Sequence, residues 1–191
     1  MTIGILAVQG DFGLHQKILD RLGVKQTTVR NEKELKQCDA LIIPGGESTT
    51  FIRLLSSIHL DRAIKNFGQK KPIMGTCAGL ILLSSKVSNN SVTPLNLIDI
   101  DVSRNAYGRQ IDSFIDTVQL TLNKKTINFE GVFIRAPKIN KLGEGVNPLG
   151  YHQGDIILAE NDKILVATFH PELTSDTTVH QYFIDKVKKS L

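Results

Sequence analysis

The chain has little sulfur, with two cysteines and two methionines in 191 residues, and it has no tryptophan. Two cysteines in unlike settings do not make a disulfide framework. No apolar stretch reaches the roughly 18 residues of a membrane span. No charged, then apolar, then small-residue leader opens the chain. Thr2 to Val8 reads instead as a buried strand. No His, Cys, Asp or Glu spacing suggests a metal site, and no metal or organic cofactor is expected. The net charge is only +4 and the cations are scattered, apart from Lys186, Lys188 and Lys189 near the end. Cations there complement a helix C-terminus. Without a basic stripe interleaved with aromatics, nucleic acid is not an expected partner. Repeats, low-complexity tracts and linkers are absent. A single cytoplasmic domain spanning residues 1–191 is expected.

What is present is a 41% apolar chain whose first half alternates between two periods. Strands are expected at Ile3 to Val8, Lys25 to Arg30, Ala40 to Ile43 and Pro72 to Gly75. Helical spacing marks Phe12 to Leu22, Glu32 to Gln37, Thr49 to Ser56 and Leu60 to Phe67. Such alternation predicts an α/β three-layer sandwich, a mostly parallel sheet flanked by helices. Residues 98–160 hold short β-like runs broken by glycine and proline, which predict an antiparallel extension. Thr177 to Lys189 is the final helix. Ligands of such sheets bind at the carboxyl ends of the strands, where Gly10, Gly46, Cys77 and His170 fall.

The sharpest signal is Gly75-Thr76-Cys77-Ala78-Gly79, between an apolar strand and a helical run. A strand turning sharply into a helix with a cysteine at the corner is a nucleophile elbow. Glycines suit the close backbone approach of such a corner. The helix N-terminus favours a thiolate. Cys38 lacks a glycine corner and reads as an inert, structural thiol.

A nucleophilic thiol needs a base, and the base an orienting acid. Of five histidines, His15, His59, His152 and His180 have polar neighbours and read as surface residues. His170 ends an apolar run and begins His170-Pro171-Glu172. In an extended segment residues i and i+2 share a side, so Glu172 is expected beside the His170 ring. Cys77, His170 and Glu172 together read as a triad.

Pro44-Gly45-Gly46-Glu47-Ser48-Thr49-Thr50 is a second glycine loop between strand and helix. It allows three roles: a phosphate cradle, though without the P-loop lysine; a turn with Ser48 as N-cap; or an oxyanion hole. In the last, favoured here, the N–H groups of Gly46 and Ala78 converge on a developing negative oxygen.

With these motifs the chain resembles the class I glutamine amidotransferases, most closely the glutaminase subunits of pyridoxal 5′-phosphate synthase, the PdxT family. The resemblance covers essentially the whole chain. Arg104-Asn105-Ala106-Tyr107-Gly108-Arg109-Gln110 and Gly131-Val132-Phe133-Ile134-Arg135-Ala136-Pro137 are its most distinctive stretches. It implies the flavodoxin-like fold of that class and a triad of Cys77, His170 and Glu172. It also implies contacts to L-glutamine from Gly46, Glu47, Ser48, Arg104, Ile134 and Arg135. An arginine can grip the α-carboxylate of glutamine in bidentate fashion, and Glu47 can accept from the α-ammonium. The implied partner is a PdxS-type synthase subunit in a hetro-oligomeric complex, with coupling expected at Gln9 and Gly10. A glutaminase of another pathway, of the imidazole glycerol phosphate synthase type, and a γ-glutamyl peptidase are the enzymatic alternatives. A non-catalytic subunit that binds a partner is the third.

Overall fold

The computed structural model describes residues 1–88, 93–104 and 113–191. The alternating half runs β1 (Ile3–Leu6), α1 (Phe12–Arg21), β2 (Gln26–Val29), α2 (Glu32–Lys36), β3 (Ala40–Ile43), α3 (Ser48–Ser57), α4 (Leu60–Gly68), β4 (Ile73–Thr76) and α5 (Ala78–Leu83). Seven strands follow: β5 (Ser84–Ser88), β6 (Ile98–Ser103), β7 (Ser113–Leu122), β8 (Lys125–Ile134), β9 (Lys138–Leu142), β10 (Asn147–His152) and β11 (Asp155–Glu160). The chain then returns through β12 (Ile164–Ala167) to α6 (Thr178–Ser190).

The main sheet has the order β2-β1-β3-β4-β12-β11-β10-β7-β8. Its first five strands are parallel and the rest join antiparallel. A side branch, β9-β6-β5, leaves the sheet at β11, with β5 and β6 parallel to each other. The expected parallel core with an antiparallel extension is therefore the observed architecture.

Both faces of the parallel core are covered, which is why its strands read as unbroken apolar runs. Side chains alternate across each strand. Leu41 and Ile43 of β3 join Phe51, Leu55, Ile64 and the apolar side of α5 on one face. Ala40 and Ile42 join Leu19, Phe183, Ile184 and Val187 on the other. The late return of β12 beside β4 pairs Ala167 with Thr76, so the segment after β12 emerges next to the segment after β4. That crossing brings His170 to Cys77, which lies 93 positions earlier in the sequence.

Strands β7 and β8 form a long hairpin, in register from Ser113↔Ile134 to Leu122↔Lys125. Asn123 and Lys124 at its turn both have positive φ, 50° and 65°. A two-residue turn with both residues there matches the right-handed twist of the strands. The hairpin delivers Ile134 and Arg135 to the same sheet edge as Cys77. Among the described residues, no helix is long and apolar enough to cross a membrane.

Candidate active site

The corner after β4 is built around glycines. A side chain at Gly75 would stand 2.7 Å from the Gly79 backbone, and one at Gly79 would collide with the carbonyl oxygen of Ile43. Cys77 takes φ 49° and ψ −103°, a conformation rare for a residue with a side chain. Such strain costs on the order of 1–3 kcal/mol and persists only where surrounding structure holds it. Here the Cys77 N–H donates to the Ala167 carbonyl at 2.9 Å, tying the corner to β12. The thiol lies at the start of α5, 3.9 Å from the Ile134 carbonyl oxygen.

His170 leaves β12 with its own N–H donating to the Val132 carbonyl at 2.8 Å. Its Nδ1–H donates to Glu172 Oε1 at 2.7 Å. The pair forms as expected, but the segment is not extended. Pro171–Leu173 is a turn of 3-10 helix, and it swings the carboxylate back under the ring. Burial alone would lower the His170 pKa. The hydrogen bonds and negative charges of Cys77 and Glu172 outweigh it and raise the pKa to about 10. Burial would raise the Glu172 carboxyl. The imidazole of His15 and the hydrogen bond and charge of His170 together keep it below its ordinary value.

Three histidines that read as surface residues are not. His15 and His180 are fully buried, and His152 is nearly so. His15 Nε2 lies 3.6 Å from Glu172 Oε2, and His15 Nδ1 lies 2.9 Å from His180 Nε2. His152 Nε2 pairs with Asp116 at 2.9 Å, against the rings of Phe114 and Phe133. Only His59 is exposed as expected. A buried row therefore runs from Cys77 through His170, Glu172 and His15 to His180.

The second glycine loop closes the site from the other side. Gly45 is packed on the His170 ring, and a side chain at Gly46 would meet Gln9 Nε2 at 2.7 Å. Gln9 itself donates to the Glu47 carbonyl at 2.9 Å, and Gly10, at φ 84°, lies against the Gly45 carbonyl. The cap of α3 is Glu47 rather than Ser48. Glu47 is the residue with extended backbone, and its carboxylate accepts from the N–H groups of Thr49 and Thr50 at 3.0 and 2.7 Å. Ser48 already lies within the helix and is buried. Hydrogen bonds from Thr50 and Thr49 pull the Glu47 pKa down to about 2. Arg104 adds a contact to Glu47 Oε1 at 3.1 Å and one to the Thr49 hydroxyl at 3.0 Å.

A cleft of about 380 Å³ is lined by Cys77, His170, Gly46, Glu47, Ser48, Arg104, Ile134 and Arg135, with Asp11 and Ile81. A cleft of about 410 Å³ beside α3 and α4 holds Arg53, Arg62 and Lys65 but no cysteine or histidine. The chemistry sits in the smaller one.

The chain matches the model of the SNO glutamine amidotransferase family over residues 5–189. It belongs to that family. This amidotransferase is 46% identical over 190 residues to "Pyridoxal 5′-phosphate synthase subunit PdxT" of Thermosipho africanus, spanning 99% of this chain and 100% of that protein. It is 44% identical to the protein of the same name in Oenococcus oeni, over 100% and 98% of the two chains. A crystal structure of a glutamine amidotransferase superposes with a TM-score of 0.91 at 37% identity, covering 97% of this chain and 98% of that one. PurLQS from Thermotoga maritima shares the fold at a TM-score of 0.70 and 16% identity, over 99% and 96% of the two chains.

The expected site residues Cys77, His170, Glu172, Gly46, Glu47, Ser48, Arg104, Ile134 and Arg135 therefore lie together at one sheet edge, with Gln9 and Gly10 beside them, while Asn105 to Gln110 are outside the described residues. Cys38 is buried as expected. Its thiol, 3.3 Å from the Glu34 carbonyl, is pushed up by burial to about 11. The residues missed are His15 and His180. The signal was present: each starts an i, i+3, i+4, i+7 row of apolar residues, Ile18-Leu19-Leu22 and Phe183-Ile184-Val187.

Proposed function

We propose that this chain is the glutaminase subunit of a pyridoxal 5′-phosphate synthase, hydrolysing L-glutamine to L-glutamate and ammonia. The observation that carries the chemistry is the His170 imidazole, gripped by Glu172 on one nitrogen and facing the strained Cys77 corner. The full-length similarity to proteins named as PdxT subunits supports the pathway.

In this reading the thiolate of Cys77 attacks the side-chain amide carbon of glutamine. The tetrahedral oxyanion is held by the N–H groups of Gly46 and Ala78. Loss of one such donor typically costs about 10²–10³ in rate. His170, charged at neutral pH, gives its proton to the departing ammonia and leaves a γ-glutamyl thioester. The neutral ring then takes a proton from water, whose oxygen attacks the thioester, releasing glutamate and restoring the ion pair. Glu172 keeps the ring oriented and stabilises its charged form.

The α-amino acid end of glutamine meets Arg104 and Glu47, a cation and an anion side by side at the cleft. Ser48, Ile134 and Arg135 complete the pocket. Gln9 and Gly10 touch the Gly45–Glu47 backbone, so a PdxS-type subunit pressing on them acts on the oxyanion donors. Ammonia passes to that subunit inside a cytoplasmic hetero-oligomer.

Glutamate release from glutamine, with and without a PdxS-type subunit, tests this. A low rate alone and a marked rise with the partner is expected. Equal rates, or a preference for γ-glutamyl peptides over free glutamine, would overturn it.

A further inference from the structure

The carboxylate of Glu172 has two oxygens, and the triad uses one. Its Oε1 accepts from His170, while Oε2 is buried without a hydrogen-bond partner. An ionised carboxylate can only accept, so Oε2 calls for a donor. The atom facing it is His15 Nε2, 3.6 Å away, itself buried and without a partner. Two orphaned atoms thus face each other, and each is the other's chemical complement. Buried polar groups are paired in the great majority of cases.

We propose that His15 is a positioning residue for Glu172, and that His180 fixes the tautomer in which it does so. The proton positions follow from the single anion. His15 must carry its proton on Nε2 to donate to Glu172, which leaves Nδ1 as an acceptor. His180 Nε2, 2.9 Å from that nitrogen, must then be the donor. Both rings are neutral: burial lowers the pKa of each, and in His15 this outweighs the attraction of Glu172 and Asp11, with charged His170 opposing protonation further. In His180 burial acts together with His15 and Arg21, against Glu172. A neutral donor suits the task, because it steadies the carboxylate without cancelling the charge that holds the His170 imidazolium.

The inference rests on the glutaminase reading, and its test separates the two. With the synthase subunit present, His15→Leu is expected to lower kcat about 10-fold or more, the scale at which outer hydrogen bonds act at metal centres. KM for glutamine is expected within about 2-fold of wild type, since His15 lies outside the cleft. His15→Gln, which keeps an N–H donor, is expected to recover kcat to within about 3-fold. A folded His15→Leu variant with near-wild-type kcat, or a Gln variant no better than Leu, would overturn the proposal. Nitrogen NMR of the imidazoles in the wild-type chain requires neither turnover nor substitution. It should show His15 and His180 neutral and protonated at Nε2 from pH 6 to 8. A proton on His15 Nδ1 would overturn the proposal even if the Leu variant fails to fold. A wild-type complex that releases no glutamate counts against the glutaminase reading alone, and the NMR result still decides the role of His15.

Discussion

Gly45 lies flat against the imidazole of His170: a methyl group on its Cα would stand 3.1 Å from Nδ1 and closer still to Cε1. The ring has nowhere to go, because Glu172 holds it from below and the turn Pro171–Leu173 fixes its backbone. The glycine loop therefore leaves room for the ring, and in the proposed mechanism it also supplies the Gly46 N–H to the oxyanion.

Gly45→Ala separates these roles. The backbone at Gly45 is not in the left-handed region, so alanine adds no conformational strain of its own, only a collision with the ring. A displacement of about 1 Å at reacting groups costs on the order of 10²-fold in rate. The variant is expected to stay folded by circular dichroism while kcat for glutamine falls by about that factor.

Cys77 predicts an unusual order of stabilities. Elsewhere, replacing glycine by alanine stabilises by about 0.4–1 kcal/mol when the backbone permits it. At φ 49° and ψ −103° the backbone does not permit it freely, and strain of about 1–3 kcal/mol favours glycine. Cys77→Gly is therefore expected to exceed Cys77→Ala in stability by about 1 kcal/mol in urea unfolding, with both variants inactive. Alanine as the more stable variant would mean that the corner stores no strain.

The histidines set a pH optimum for stability. Burial holds His15 and His180 below their ordinary value of 6.5, His180 at about 3. The unfolded chain then binds protons that the folded chain refuses, so stability falls as pH drops below about 6.5. Glu172 and Glu47, also lowered, add to the loss further into acid, as pH falls below their ordinary 4.5. His170 acts in the opposite sense. Raised to about 10, it contributes fully below 6.5 and loses that contribution as pH rises toward 10. Urea midpoints are expected to peak near pH 6.5 and fall on both sides. A profile that climbs steadily from pH 5 to 9 would contradict these assignments.

Much of this was legible in the sequence. The Gly75–Gly79 corner, the apolar strands and the late His170 announced themselves because each is a local steric or burial demand. The pairing of His170 with Glu172 was reached through the wrong geometry, since an extended strand and a 3-10 turn both bring the two side chains together. Ser48 was offered as a possible cap of α3 because short polar side chains usually cap. Here the longer Glu47 folds back over two N–H groups. His15 and His180 were hidden for a different reason. Each is a polar residue followed by a glutamine, Gln16 and Gln181, and their burial depends on α1 and α6 covering the same face of the sheet. That packing is a property of topology, although the helical period of their apolar partners already pointed inward.

The central claim is a covalent one, that glutamine passes through a thioester on Cys77. Rapid quenching of the wild-type chain with its synthase subunit and glutamine, followed by mass spectrometry of the peptide holding residue 77, reads it directly. A γ-glutamyl adduct on Cys77 that is absent from Cys77→Ala, together with loss of glutamate release in that variant, is the expected result. Glutamate release that persists in Cys77→Ala, or an adduct on another residue, would contradict the account.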